Sequence, residues 1–341
     1  MGVATLALRT KGNNPMKDQF GREITYLRLS LTDHCNLRCV YCMPLTGLTF
    51  VPTAELLSAD ELEKIVRAAV SAGFNKFRLT GGEPTLRQDI VEIVRRLAQV
   101  EGVAELVMTT NGYRLAYIAQ ELVDAGLKRV NIHVDSLNQE RVGKLMRFGT
   151  IKKAWAGIEA TEKAGLTPIK INAVITRGYN DEDAVDLARL TLTKPWQVRF
   201  IELMPFAGPA EIAMHNYVSS AETQQWIEAE LGPLFPVHNG ELEGEARVFR
   251  LPGSEGTIGF ISPISDPYCD GCNRMRLTSD GRLRMCLLTD GELDFRTTLR
   301  GGGSHADLVK LFQRAIWAKP VGHELKRGIH PELRTMSQIG G

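Results

Sequence analysis

The chain has 341 residues, 43% of them hydrophobic, and a formal net charge of +1. Such a length and apolar content suit a large globular core and exclude a disordered chain. The near-zero charge excludes the global basic field of a nucleic-acid binder. No apolar run reaches the length of a membrane span. The opening MGVATLALRT meets Arg9 and Lys11 too soon for a secretory signal, and Leu6 breaks the myristoylation pattern. The expected location is cytoplasmic.

From residue 24 to about 205, strand-like and helix-like runs alternate. The predicted strands cover 24–31, 76–80, 104–109, 129–134, 168–175 and 197–203. Runs at 59–72, 88–98, 114–125 and 181–192 repeat apolar residues with a helical period. Ser58 with Glu61 three residues later predicts a capping box at the first of these helices. This order implies a parallel sheet with helices outside and right-handed crossovers. The predicted fold class is therefore α/β, a partial TIM-type barrel of about six βα units.

In such barrels the chemistry sits at the C-terminal strand ends, and the loops there are unusual. In turn they carry the cysteines of 35–42, Gly81-Gly82-Glu83-Pro84, Thr109-Thr110-Asn111-Gly112, Asp135-Ser136 and Met204-Pro205. After about residue 206 the rhythm fades, and Pro, Gly and acidic residues are frequent through 253. Short strands follow, including 273–278 before the hairpin signal Ser279-Asp280-Gly281. The expected division is an N-terminal segment (1–23), a barrel (24–205) and a smaller α+β extension (206–341).

All six cysteines fall in two tight groups, Cys35/Cys39/Cys42 and Cys269/Cys272/Cys286. Clustered thiols in a reducing compartment point to metal rather than disulfides. Three thiolates on one loop hold three irons of a 4Fe–4S cluster and leave the fourth open. An open iron can chelate the amino and carboxylate groups of a methionine moiety and pass an electron to its sulfonium. Structural zinc is the alternative, with His34 as fourth donor to the first group and His305 or His323 to the second. In the GGEP loop, the glycines allow close backbone approach to a ligand and Glu83 can accept from an ammonium.

Cations lie within the predicted strands: Arg28, Arg78, Lys170 and Arg199, with Arg274 and Arg276 two apart on one face of a later strand. Inward cations need an anion. Together they suggest a polyanion pocket such as one for a nucleoside triphosphate, although no P-loop pattern is present.

The Cys-x3-Cys-x2-Cys spacing with Gly81-Gly82-Glu83-Pro84 resembles the radical SAM superfamily, whose enzymes cleave S-adenosylmethionine (SAM). The second triplet, the segment Asn273-Arg274-Met275-Arg276-Leu277-Thr278 and Gly340-Gly341 resemble the GTP 3′,8-cyclases of molybdenum cofactor biosynthesis. The resemblance implies two 4Fe–4S clusters and SAM as cofactors. It implies a 5′-deoxyadenosyl radical that takes hydrogen from C3′ of GTP, closure onto C8 of guanine, and guanine binding by the second cluster. It further implies SAM contacts from Tyr41, Gly82, His133 and Met204, and GTP contacts from Arg28, Arg78, Thr109, Lys170, Arg274 and Arg276. Catalytic roles fall to Arg199, Gly340 and Gly341. The family usually has serine at the place of His133, so either the imidazole or Ser136 takes over that contact. The implied partners are an electron donor such as flavodoxin or ferredoxin and the next enzyme, cyclic pyranopterin monophosphate synthase, with a homodimer compatible. Two other readings remain: a radical SAM peptide or tRNA modifier, and a zinc-stabilised binding protein without catalysis.

Overall fold

The computed structural model describes residues 15–341. The N-terminal sequence features at Leu6, Arg9 and Lys11 lie outside the described residues. The six expected strands form, as β1 (Tyr26–Ser30), β2 (Lys76–Thr80), β3 (Glu105–Thr110), β4 (Arg129–His133), β5 (Lys170–Ile175) and β6 (Gln197–Glu202). Between them run α1 (Ala59–Ser71), α2 (Ile90–Ala98), α3 (Leu115–Asp124), α4 (Gln139–Met146), α5 (Ile151–Lys163) and α6 (Asp183–Arg189). Ser58 and Glu61 form the expected capping box. Two helices, not the usual one, separate β4 from β5.

The strands pair in parallel from β1 through β6. Their sequences alternate, and each face has its own purpose. In β1, Leu27 and Leu29 are fully buried toward the helices, while Tyr26, Arg28 and Ser30 take the opposite face. Phe77 and Leu79 of β2, and Val198 and Phe200 of β6, are likewise buried. Each such side chain contributes about 1.5–3 kcal/mol by leaving water.

The later segment does not stand apart from this sheet. Its elements are α7 (Ala210–His215), α8 (Ser220–Leu231), β7 (Phe235–Pro236), β8 (Leu242–Glu243), β9 (Ala246–Arg250), β10 (Thr257–Ile261), β11 (Arg274–Leu277), β12 (Arg282–Arg284) and β13 (Glu292–Asp294), then α9 (Arg296–Arg300), α10 (His305–Trp317) and α11 (Met336–Ile339). β11 pairs in parallel with β1, and β10 in parallel with β6. The 13-stranded sheet thus runs β13-β12-β11-β1-β2-β3-β4-β5-β6-β10-β9-β7, with β8 on β9. Eight consecutive parallel strands, β11 to β10 in that order, curve as an incomplete barrel whose two ends do not pair among the described residues. The later helices join the outer layer: α10 packs on α1 and α8 on α6, with the ring of Phe312 of α10 tilted against that of Phe74 at 5.3 Å. Among the described residues no helix is long and apolar enough to cross a membrane.

One packing contact fixes a site loop. Gly157 of α5 lies against the carbonyl of Gly112, immediately after Asn111, so closely that a Cβ would collide with it. Gly157→Ala is expected to destabilise the chain by about 1–3 kcal/mol, the range for forced overpacking. A thermal melt with an unchanged midpoint would show that the loop yields freely.

Candidate active site

The cysteine loop follows β1 and is braced by the loop after β2. Gly82 N–H donates to Thr32 O and Glu83 N–H to His34 O, both at 2.7 Å. A Cβ on Gly81 would sit 2.6 Å from Thr32 O, and one on Gly82 would strike the carbonyls of Asp33 and His34. The glycine pair therefore admits the chain's own backbone on one side while bordering the cleft on the other. Glu83 is also engaged within the protein. Its Oε1 accepts from Thr85 N, Thr85 Oγ1 and Thr110 Oγ1 at 3.0, 2.5 and 2.7 Å, and its Oε2 accepts from Asn111 N at 2.7 Å. This buried carboxylate, which also borders the cleft, ties the loops after β2 and β3 together. Burial raises its pKa against those hydrogen bonds.

The thiols of Cys35, Cys39 and Cys42 converge. Burial pushes Cys35 and Cys42 up to about 12, and Cys39 well above its usual value. Each also feels charge from its neighbours, Glu83 on Cys35, Cys35 on Cys42 and Asp135 on Cys39. Three crowded, buried thiols cannot all ionise unaided, and a cationic iron–sulfur group relieves that conflict. Leu37 N–H already donates to Cys35 Sγ at 3.3 Å. The donor set therefore fits a cluster. His34 does not complete it, because its ring bonds Asp33 at 3.0 Å and stacks on Phe50 at 4.4 Å.

The second triplet lines a smaller cavity with Tyr268, Arg274, Arg276, Lys319 and His323. Lys319 is buried and donates to Arg274 O and Met285 O, both at 2.8 Å. Burial alone would raise the Cys272 thiol, but the Lys319 and Arg274 charges outweigh it and lower its pKa. That environment favours thiolate ligation. Nothing in the sequence singled out Lys319. His323 has Nε2 on Pro263 O at 2.8 Å and Nδ1 accepting from Leu325 N at 3.4 Å. His305 lies 3.0 Å from Ser71 of α1. Neither histidine completes a four-ligand zinc set.

Topology puts the two triplets at opposite ends of neighbouring parallel strands. The first follows the C-terminal end of β1, and Cys272 immediately precedes β11, the partner of β1. Cys286 follows β12, which runs antiparallel back to the same end. Between them, Arg276, Arg28 and Arg78 stand side by side in register on β11, β1 and β2. A cleft of about 1320 Å³ spans the gap, bounded by the first cysteines, Arg28, Arg78, Arg199, Arg276 and Gly341.

Each cation has a fixed posture. Arg78 donates to Thr109 Oγ1 at 3.1 Å and to the Tyr26 hydroxyl. Arg199 donates to Asn172 Oδ1 at 2.9 Å, and Gly259 on β10 leaves room for its side chain. Burial and the nearby Arg78 and Arg129, against Glu245, pull Arg199 down to about 10. Burial and Arg28 pull Arg276 down to about 9. These guanidinia lack enough anions. Gly340 carbonyl accepts from Arg276 at 3.1 Å and Thr80 at 3.2 Å, while Gly341 carbonyl accepts from Arg28. The Gly340-Gly341 pair is docked rather than frayed. Gly340 has φ +90°, and a Cβ there would sit 2.7 Å from Ser30 Cβ. Lys170 is buried off the cleft wall, paired with Glu243, and Arg274 faces the smaller cavity. Neither Glu243 nor the half-buried Glu245, which stands among the arginines, was found from sequence. The only signal is their acidic-Gly-acidic spacing.

Tyr41, Gly82, His133 and Met204 line the same cleft near the first triplet. Tyr41 donates to Asp135 Oδ2 at 2.6 Å, and His133 Nε2 lies 2.6 Å from the phenol and 2.8 Å from Asp135 Oδ2. Burial would lower the His133 pKa, but Asp135 raises it overall. Ser136 is fully buried, donating to Asp183 Oδ1 at 2.8 Å, and does not reach the cleft. Glu83→Gln removes one acceptor atom from four converging donors and is expected to cost about 1–3 kcal/mol. A chemical-denaturation midpoint equal to that of the parent would show the brace to be dispensable.

Residues 29–191 match the radical SAM superfamily, and 196–325 match the family described as Molybdenum Cofactor Synthesis C. The chain is 45% identical over 326 residues to the GTP 3′,8-cyclase of Moorella thermoacetica, and 44% identical over 326 residues to that of Pelotomaculum thermopropionicum. Both alignments cover 96% of this chain and 100% of the relative. Among solved structures, Streptococcus suis SuiB bound to precursor peptide SuiA superposes with a TM-score of 0.60 at 14% identity. That match covers 83% of this chain and 65% of SuiB, and it speaks to the fold alone. The chain belongs to the radical SAM superfamily and, within it, to the GTP 3′,8-cyclases.

Proposed function

We propose that the chain converts GTP to 3′,8-cyclo-7,8-dihydro-GTP, the first step of molybdenum cofactor biosynthesis. The observation that carries this reading is the single cleft: one cysteine triplet at one end, another beside its far end, and undersatisfied arginines between. When bound, SAM and its 4Fe–4S cluster supply the radical chemistry that removes the ribose C3′ hydrogen.

The remaining work falls to the chain. In this reading Cys35, Cys39 and Cys42 hold the cluster that meets SAM, and Cys269, Cys272 and Cys286 hold the one that meets guanine. The 24–205 segment carries the first and the 206–341 segment the second. Tyr41, Gly82, His133 and Met204 face SAM. Arg28, Arg78, Thr109, Arg274 and Arg276 take the nucleotide, with Lys170 at its rim. Arg forks match phosphate oxygens in two places at once and so orient the ribose. Gly340 and Gly341 act through their carbonyls, which aim Arg276 and Arg28. Arg199, aimed by Asn172, adds positive charge beside the reacting sugar. The buried helix-side core and the docked tail keep water from the radical.

The reaction needs a one-electron donor, for which flavodoxin or ferredoxin has the right chemistry. Its product suits the next enzyme, cyclic pyranopterin monophosphate synthase. Open-iron clusters and free thiols call for a reducing compartment, the cytoplasm. A homodimer is compatible with this reading.

Anaerobically purified protein is expected to hold about eight irons per chain, two clusters' worth. With SAM and a strong reductant it is expected to form 5′-deoxyadenosine only when GTP is present. Turnover indifferent to GTP, or zinc without sulfide, would refute the assignment.

His133→Ser leaves the Tyr41–Asp135 hydrogen bond in place. Its rate is expected to stay within about a hundredfold of the parent, roughly 2.7 kcal/mol of barrier. A larger loss in the same deoxyadenosine assay would make the imidazole indispensable.

A further inference from the structure

The hairpin of β8 and β9 turns on Gly244 and Glu245, since Glu243 pairs with Ala246. Gly244 has φ +70°, as the first position of such a two-residue turn requires. The tip is thinly held. β8 is two residues long and pairs with β9 alone, so it opens at little cost.

Its polar groups nevertheless meet the cations of the cleft. Glu245 lies 3.6 Å from Arg28 and 3.1 Å from Arg274. The Gly244 carbonyl accepts from Arg274 at 2.7 Å. Glu243 accepts from Lys170, and from Gln197 at 3.3 Å. Arg28, Lys170 and Arg274, three residues of the nucleotide reading, are thus already held by oxygens of the chain.

The match is incomplete. Arg28 Nε is buried without a hydrogen bond, and Arg274 Nε, the atom 3.1 Å from Glu245, is not aligned for one. Phosphate offers these forks more oxygens and more charge than one carboxylate does. Burial would raise the Glu245 pKa, but Arg274, Arg28, Arg199 and Arg78 outweigh it and hold the carboxyl far below its usual range. It is an anion at any working pH.

We propose that Glu243 and Glu245 compete internally with the phosphates of the substrate, so that a bound triphosphate displaces the 242–245 tip from Arg28, Lys170 and Arg274. The tip sets the nucleotide affinity of the cleft. This rests on the nucleotide reading above.

The test uses the cluster-loaded full chain under anaerobic conditions. Equilibrium dialysis measures GTP and guanosine binding to the parent and to E245Q, E243Q and R276A. Deuterium uptake at 242–246 is followed with and without GTP. E245Q is expected to bind GTP about fivefold more tightly, the upper worth of a partly screened ion pair. E243Q shifts the same way, guanosine binding stays level, and GTP raises uptake at the tip. GTP binding by E245Q no tighter than by the parent, or GTP-induced protection of 242–246, would overturn the proposal. Should E245Q fail to fold, E243Q and the parent's deuterium uptake decide it. R276A separates the two readings. Lost affinity there with no gain in E245Q sinks only the tip, whereas full affinity in R276A sinks the nucleotide reading and the tip with it.

Discussion

Five guanidinia crowd the cleft and the smaller cavity beside it, and their mutual repulsion governs what surrounds them. Arg78, Arg199, Arg274 and Arg276 are each at most 9% exposed. A buried cation without a partner is strongly unfavourable. The neighbourhood supplies acceptors accordingly: the Tyr26 hydroxyl, Thr109, Asn172, the carbonyls of Gly244, Gly340 and Gly341, and the Glu245 carboxylate. Few of these are full charges. The cleft stays electrostatically hungry, and a polyphosphate is the ligand class that satisfies it.

The sheet makes this arrangement possible by dividing its two faces. One face of each strand feeds the apolar layer under the helices, and the other lines a polar interior. A fully parallel sheet usually reads as continuous apolar runs. Here the strands alternate, because the inner face borders an open polar cleft rather than a packed apolar layer. The same strands set the distance between the cysteine triplets. One stands at the top of β1 and the other at the bottom of β11, with the registered arginines between.

Much of this was legible from residue order. All six strands of the first part announced themselves, because β-branched and apolar runs between turn signals carry a period of two. The first cysteine group and four of the strand arginines, all singled out by their spacing, meet in one cleft. The return of β10 and β11 to the two edges of the same sheet was not legible, since periodicity reports local structure and says nothing of which distant strand lies alongside. For the same reason Lys319 and Glu245 passed unnoticed. Each is an ordinary residue in sequence and acquires meaning only from what folding brings against it. Glu83 was legible as a loop acceptor, whereas its hydrogen bonds to Thr85, Thr110 and Asn111 were not, because folding alone brings Thr110 and Asn111 against it.

The pairing of β1 with β11 sets a timetable. β1 emerges among the first thirty residues of the chain, while its neighbour on one side begins at Arg274. At synthesis rates of about 5–20 residues per second, that edge waits roughly 12–50 s for its partner. Throughout that interval β1 presents an unpaired backbone beside exposed cysteines, and β6 waits in the same way for β10. The nascent chain therefore carries two open sheet edges until β10 and β11 have been made.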